Sequence, residues 1–258
     1  MTVTGVVVNS RDVARSVAFY RGLLDLEVRE ADDSHAVLDA VAGTVEIVPV
    51  GQDAPASSWE PDDLQRGFRH IGFKVASVDE VADRVRAAGV PFHLEPLEAT
   101  GDVRIAFFPD PDGTLVEVVE RHLRYDPVLD AAAVAREHAS PTPARPRLDH
   151  VAVTVDDLRA TRERWTALGH VHSGSLRFPD EPRGFDIAYL ADGGVVVEVF
   201  TFGVPTRPRS AQVGAPGFAA AVVAGPLPAG VRPVGAAPDG REVLVDPDDL
   251  TLVAAEPR

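Results

Sequence analysis

The feature that most limits what this chain can fold into is that it repeats itself. A strand, a helix and further strands recur about every 65 to 80 residues, the mark of a molecule assembled from copies of one supersecondary unit. The first copy opens TGVVVNSRDVARSVAFYRGLLDLEV: an alternating strand, Asp12 placed as an N-cap, then Val13, Val17, Tyr20 and Leu24 at helical spacing. HAVLDAVAGTVEIVPV adds two strands around a turn near Gly43. The second copy opens RHIGFKVASVDEVADRVRAAGVPF, with Val78, Val81 and Val85 on one helix face, and closes VRIAFFPDPDGTLVEVVE, where DPDG between two apolar alternations signals a hairpin. LDHVAVTVDDLRATRERWTALGHV opens the third, which closes FDIAYLADGGVVVEVF.

The fourth copy is degenerate: GFAAAVVAG makes a first strand, but GPLP stands where the helix should be. Between copies two and three, RHLRYDPVLDAAAVAREHASPTPARPR reads as a short helical stretch and a Pro-rich tract, hence a linker. The expected organisation is two tandem domains of two units each, residues 1–121 and 148–258, joined by 122–147.

Alternation assigns the polar residues to a face. In HIGFKV, His70, Gly72 and Lys74 oppose Ile71, Phe73 and Val75; in HVAVTV, His150, Ala152 and Thr154 oppose Val151, Val153 and Val155. Glu117 in LVEVVE and Glu198 in VVVEVF likewise oppose valines. If the apolar faces pack on the helices, all four of these residues look away from them. His70 and Glu117 are 47 residues apart, His150 and Glu198 48.

Composition narrows the chemistry. There is no cysteine, so disulfides, thiolate zinc sites and a Cys nucleophile are excluded, and any metal must be held by His, Asp or Glu. The net charge of -15 argues against nucleic acid or an anionic membrane as partner and points to a small molecule. No 18-residue apolar run and no leader pattern are present, so the cytoplasm is the expected location.

The βαβββ unit repeated in pairs, with a first strand of the type H-apolar-x-apolar-x-V-x-D and a last strand of the type D-G-x-x-x-E, resembles the vicinal oxygen chelate superfamily, which includes glyoxalase I, extradiol dioxygenases and bleomycin-binding resistance proteins. The resemblance implies an α+β fold of paired units forming half-open curved mixed sheets, with a concave cavity whose metal is bound by first-strand His and last-strand Glu residues. On that basis His70, Glu117, His150 and Glu198 are the expected ligands of a divalent ion (Ni, Co, Mn, Fe or Zn), with Glu117 or Glu198 as catalytic base in a lyase or isomerase reaction at a small carbonyl or vicinal-oxygen substrate. A metal-free antibiotic-binding protein is the alternative, and an extradiol-type dioxygenase a third.

Aligned on Asp12 and Asp157, unit one offers Gly5 in place of the histidine and Glu46 at its last strand, while unit four offers a residue near Ala219 and Val253. If units pair within halves, the cavities hold Glu46, His70 and Glu117 on one side and His150 with Glu198 on the other. If they pair across halves, units two and three form one complete set. The remaining histidines (His35, His93, His122, His138, His170, His172) are expected at the surface or in the linker. Trp59, Trp165, Phe107, Phe108 and Tyr189 are candidates for a pocket lining, although aromatics are more often core. Monomer and homodimer both remain open.

Overall fold

The computed structural model describes residues 1–32, 35–209 and 213–255. Unit one comprises β1 (Thr2–Ser10), α1 (Val13–Leu24), β2 (Glu27–Ala31), β3 (Ala36–Asp39) and β4 (Thr44–Pro49). Unit two comprises β5 (Gly67–Val75), α2 (Val78–Ala87), β6 (Leu94–Ala99), β7 (Val103–Pro109) and β8 (Leu115–Glu120). A linker helix, α3 (Ala131–His138), leads to unit three: β9 (Arg147–Thr154), α4 (Leu158–Thr166), β10 (Val171–Arg177), β11 (Asp186–Ala191) and β12 (Val196–Thr201). Unit four has strands alone: β13 (Gly217–Ala224), β14 (Arg232–Ala236), β15 (Glu242–Val245) and β16 (Thr251–Ala254), with GPLP in a loop after β13. Each helix starts where the sequence supplies a cap: the side chains of Asp12, Ser77, Asp130 and Asp157 accept from the backbone N–H groups of Arg15, Glu80, Ala133 and Ala160. None of the helices among the described residues is long and apolar enough to cross a membrane.

The strands form two eight-stranded mixed sheets, in the order β14-β15-β16-β13-β1-β4-β3-β2 and β10-β11-β12-β9-β5-β8-β7-β6. The architecture is the expected α+β arrangement of paired units, and the pairing crosses the halves. First strands meet antiparallel at the centre of each sheet, β1 on β13 and β5 on β9, so units one and four build the first sheet and units two and three the second. Apolar faces of both sheets merge with α1, α2 and α4 in one core that includes Val6, Val8, Leu24, Ile71, Phe73, Val85, Val151, Val153, Trp165 and Val223. Phe68 of β5 and Phe218 of β13 meet across the two sheets with ring centroids 4.6 Å apart and planes tilted by 34°.

Polar turns lock the sheets together. The DPDG turn of unit two grips the helix of unit one: Asp112 accepts from Ser16 Oγ at 2.8 Å and Arg11 N at 3.1 Å, and Asp110 from the Tyr20 hydroxyl at 2.9 Å. Across the pseudo-symmetric junction the DPDD turn of unit four grips the helix of unit three, where Asp248 accepts from Thr161 Oγ1 at 2.8 Å and pairs with Arg164. Unit four has lost its helix but kept the turn that its neighbour needs.

The first sheet has lost the polar set. Val7 faces Glu46 and Ala220 in the ladders, as Gly72 faces Glu117 and His150 in the second sheet, so Gly5, Glu46, Ala220 and Val253 stand where the second sheet has His70, Glu117, His150 and Glu198. The ladder therefore puts Ala220, not its neighbour Ala219, in the second histidine's place. Val7, Val48, Val222, Val243 and Val253 cluster on this face, and Glu46 pairs with Arg241 at 2.8 Å. One expected surface histidine is not at the surface: His170 is 1% exposed and packs edge-on to Trp165 at 4.8 Å, burial pushing its pKa down. The tight turn after α4 directs it inward, which a lone His in the sequence does not reveal. His172 is half-buried and bonds Ser175, and Trp165 and Phe108 are core.

Burial pushes two turn carboxyls up, Asp110 to about 6 and Asp246 to about 7, the latter also through the charge of Asp248 and against the pull of Arg164. A carboxyl whose folded pKa exceeds its unfolded value of ~4 contributes stability that is complete below that value and is lost as pH rises through the folded pKa. Thermal unfolding followed by calorimetry should therefore show Tm falling between about pH 4 and 7. Asp246→Asn, whose Oδ1 can still accept from Asp248 N and Leu250 N, should remove the part of that fall that extends up to about pH 7.

Candidate metal centre

The four side chains expected to converge do so. His70 on β5, Glu117 on β8, His150 on β9 and Glu198 on β12 are each buried, and one ligand atom from each lies within 4.8 Å of all the others. Two small residues make this close approach possible. Gly72 faces both Glu117 and His150 in the ladders, and Ala152 faces both His70 and Glu198. A Cβ on Gly72 would lie 2.1 to 2.5 Å from ring atoms of His150, so the imidazole occupies space that any other residue would fill.

Glu117 Oε2 lies 2.9 Å from Nε2 of both histidines, and the two Nε2 atoms are 3.1 Å apart. Glu198 Oε2 sits 3.3 Å from His70 Nε2 and 3.5 Å from His150 Nε2, yet it has no hydrogen-bond partner. Ligand atoms bonded at ~2.1 Å to one ion stand ~3 to 3.5 Å apart in octahedral or tetrahedral shells. The observed separations match that spacing, and the orphaned oxygen is a lone pair aimed where such an ion would sit. Two nitrogens and two carboxylates suit a divalent ion of borderline hardness.

Electrostatics bind the set tightly even without an ion. Burial alone would depress both imidazoles, but the carboxylates of Glu117 and Glu198 outweigh it and raise both, His150 well above its ordinary value. Burial would raise Glu117, and the two histidines instead hold it below the usual carboxylate range.

A second layer orients the first. Asp149 Oδ2 is 3.2 Å from His150 Nδ1, which directs Nε2 toward the centre. Lys74, the single lysine of the chain, lies 3.8 Å from Asp149 and donates to the Arg121 carbonyl, while Arg147 donates to Asp149 Oδ1 at 3.2 Å. Burial raises Asp149, but Lys74, His150 and Arg147 hold it far below the usual range. The Tyr189 hydroxyl donates to Glu198 Oε1 at 2.8 Å, and burial with the adjacent carboxylate pushes that phenol well up, so it stays a donor.

The centre forms the floor of a cavity of about 790 Å³. Part of its wall is the segment expected only to tether two domains: Leu123 and Tyr125 lie against it, with Ala133 and Glu137 of α3. The strap seats itself on missing side chains, since a Cβ at Gly101 would strike Leu123 and one at Gly174 would strike the Tyr125 ring. Tyr125 donates to Glu137 at 2.6 Å. Of the aromatics singled out from sequence, Phe107 and Tyr189 line the cavity, whereas Trp59 lies beneath the Arg69 guanidinium at 5.3 Å. Sequence reasoning missed Gly72, Asp149 and Lys74 as parts of the centre. Their adjacency to the histidines was the available signal.

Residues 3–118 match a family model described as Glyoxalase/Bleomycin resistance protein/Dioxygenase superfamily. Lactoylglutathione lyase of Salmonella typhimurium is 28% identical over 116 residues, covering 42% of this chain and 84% of that protein. Among solved structures, glyoxalase I from Zea mays aligns with a TM-score of 0.67 at 21% identity over 98% of this chain and 91% of that one. A mutant of the maize enzyme aligns with a TM-score of 0.68 at 19% identity, over 98% and 92%. At these identities the structural likeness establishes the fold of the whole chain.

Gly72→Ala should force the His150 ring aside at a cost of about 1 to 3 kcal/mol in stability. Circular dichroism is expected to report a folded protein, and metal titration an affinity for divalent ions reduced by at least about tenfold, a change of ~1.4 kcal/mol in binding.

Proposed function

We propose that this chain, which over residues 3–118 belongs to the Glyoxalase/Bleomycin resistance protein/Dioxygenase superfamily, is a divalent-metal-dependent lyase or isomerase that moves a proton next to a carbonyl in a small vicinal-oxygen substrate. The observation that carries this reading is the convergence of His70, Glu117, His150 and Glu198 at metal-ligand spacing, with Glu198 Oε2 left without a hydrogen-bond partner. When bound, a Ni, Co, Mn, Fe or Zn ion would supply Lewis-acid polarisation of the substrate oxygens.

The chain's own residues supply the rest. His70, Glu117 and His150 would hold the ion, with Glu198 as a fourth and looser ligand, and Asp149 keeps His150 in the tautomer whose Nε2 lone pair faces the centre. Glu198 is the base. Tyr189 anchors its Oε1, and Oε2 is the oxygen that takes the proton from the substrate carbon beside the carbonyl and returns it to the neighbouring carbon. The hydroxyl proton passes between the two adjacent substrate oxygens as the carbonyl changes place, so the transferred C–H and O–H protons are both accounted for. Phe107 and Phe200, with rings 5.0 and 6.0 Å from that of His70, screen the proton from water.

Elemental analysis after dialysis against metal-free buffer and reloading should find near one divalent ion per chain in the wild type, none in the His70→Ala/His150→Ala double variant, and an unchanged content in His35→Ala. Tyr189→Phe should keep the ion and lower kcat for solvent-deuterium exchange into an α-hydroxyketone by roughly tenfold, about 1.4 kcal/mol of transition-state stabilisation. A wild-type protein that takes up no ion would overturn the reading.

A further inference from the structure

We infer that the cavity selects an uncharged aromatic substrate carrying two adjacent oxygens and rejects an anionic thiol conjugate, an inference that rests on the metal-centre reading above. Two independent observations carry it. The first is a continuous run of aromatic rings leading out from the centre. Phe107 and Phe200 flank His70, Phe185 meets Phe200 edge-on at 5.2 Å, and Phe178 stacks on Phe185 at 4.8 Å with an interplanar angle of 20°. Ile105 and Ile187 line the same cavity. Rings gain from edge and offset contacts with other rings beyond the area they bury, so such a track favours a ring over an aliphatic chain of equal size.

The second observation is the state of the charges. Three cations line the cavity, Lys74, Arg136 and Arg147, and two of them are committed to Asp149. Arg136 stands exposed on α3. Acids outnumber them: Asp63, Glu98, Glu137 and Asp149 line the cavity in addition to the two carboxylates of the centre, with Arg69 and Arg183 beside Asp63 and Arg104 and Arg121 beside Glu98. A glutathione conjugate brings two carboxylates into that field, and the wall offers them one uncommitted cation, Arg136, among the described residues. The chain's net charge of -15 repels such an anion before it arrives. A cavity of about 790 Å³ accommodates a ligand of one to three rings with its oxygens at the metal.

The test is calorimetric titration of the metal-loaded full chain with three probes. They are 2-hydroxyacetophenone, the hemithioacetal of phenylglyoxal with glutathione, which carries the same phenyl ketone and adjacent hydroxyl on an anionic peptide, and hydroxyacetone, which has the vicinal oxygens without the ring. 2-Hydroxyacetophenone should bind at least about tenfold more tightly than either of the others. Ile105→Glu should weaken it by a similar factor with metal content unchanged. Phe178→Ala, a milder change at a half-buried site, should weaken it severalfold and serves if the first variant does not fold. Tighter binding of the glutathione hemithioacetal would overturn this inference and leave the metal-dependent function standing. Equal binding of hydroxyacetone, or indifference of both variants, would overturn the aromatic preference. A protein that takes up no metal would overturn the functional reading and this inference together.

Discussion

The antiparallel seam between β5 and β9 is the contact on which the rest of the second sheet depends. Two first strands from different halves of the chain meet there, each carrying a histidine on the face away from the helices, and each placing a small residue beside the other's imidazole. Gly72 under His150 and Ala152 beside His70 let two rings and two carboxylates share a volume that would otherwise be filled. A one-residue slip of this seam would send every side chain to the opposite face and scatter the four groups. The seam is therefore both the spine of the sheet and the alignment device of the site.

What holds the two sheets to each other is the reciprocal grip of turn on helix. Asp110 and Asp112 of unit two hold α1 of unit one, and Asp248 of unit four holds α4 of unit three. Each contact ties one half of the chain's repeats to the other sheet, which explains why unit four could shed its helix without shedding its turn. The raised pKa values of Asp110 and Asp246 are the cost of burying these turns. The two concave faces have diverged by substitution at four matched positions. Where the second sheet keeps His, Glu, His and Glu, the first has Gly5, Glu46, Ala220 and Val253, with an apolar cluster beside them and Arg241 neutralising the one retained acid. An unpaired buried carboxylate would be costly there, and an arginine is the simplest replacement for a missing cation.

The repeat, the strand alternation and the helix caps were legible along the chain because each is a local property. Asp12, Ser77, Asp130 and Asp157 start helices through hydrogen bonds to residues three positions on, and alternation alone put His70, Glu117, His150 and Glu198 on the face turned from the helices. By itself the sequence determined the unit, its four copies, the decay of the last and the one pair of copies that retained all four polar positions. Tertiary structure alone decided that units pair across the halves, that the tether becomes a cavity wall, that His170 turns into the core, and that Asp149, Lys74 and Tyr189 hold the histidine and glutamate in place. The physical reason is that these outcomes depend on which distant surfaces fit. A glycine gives no hint along the chain that it lies beneath an imidazole 78 residues away, because that contact exists only once two strands have met.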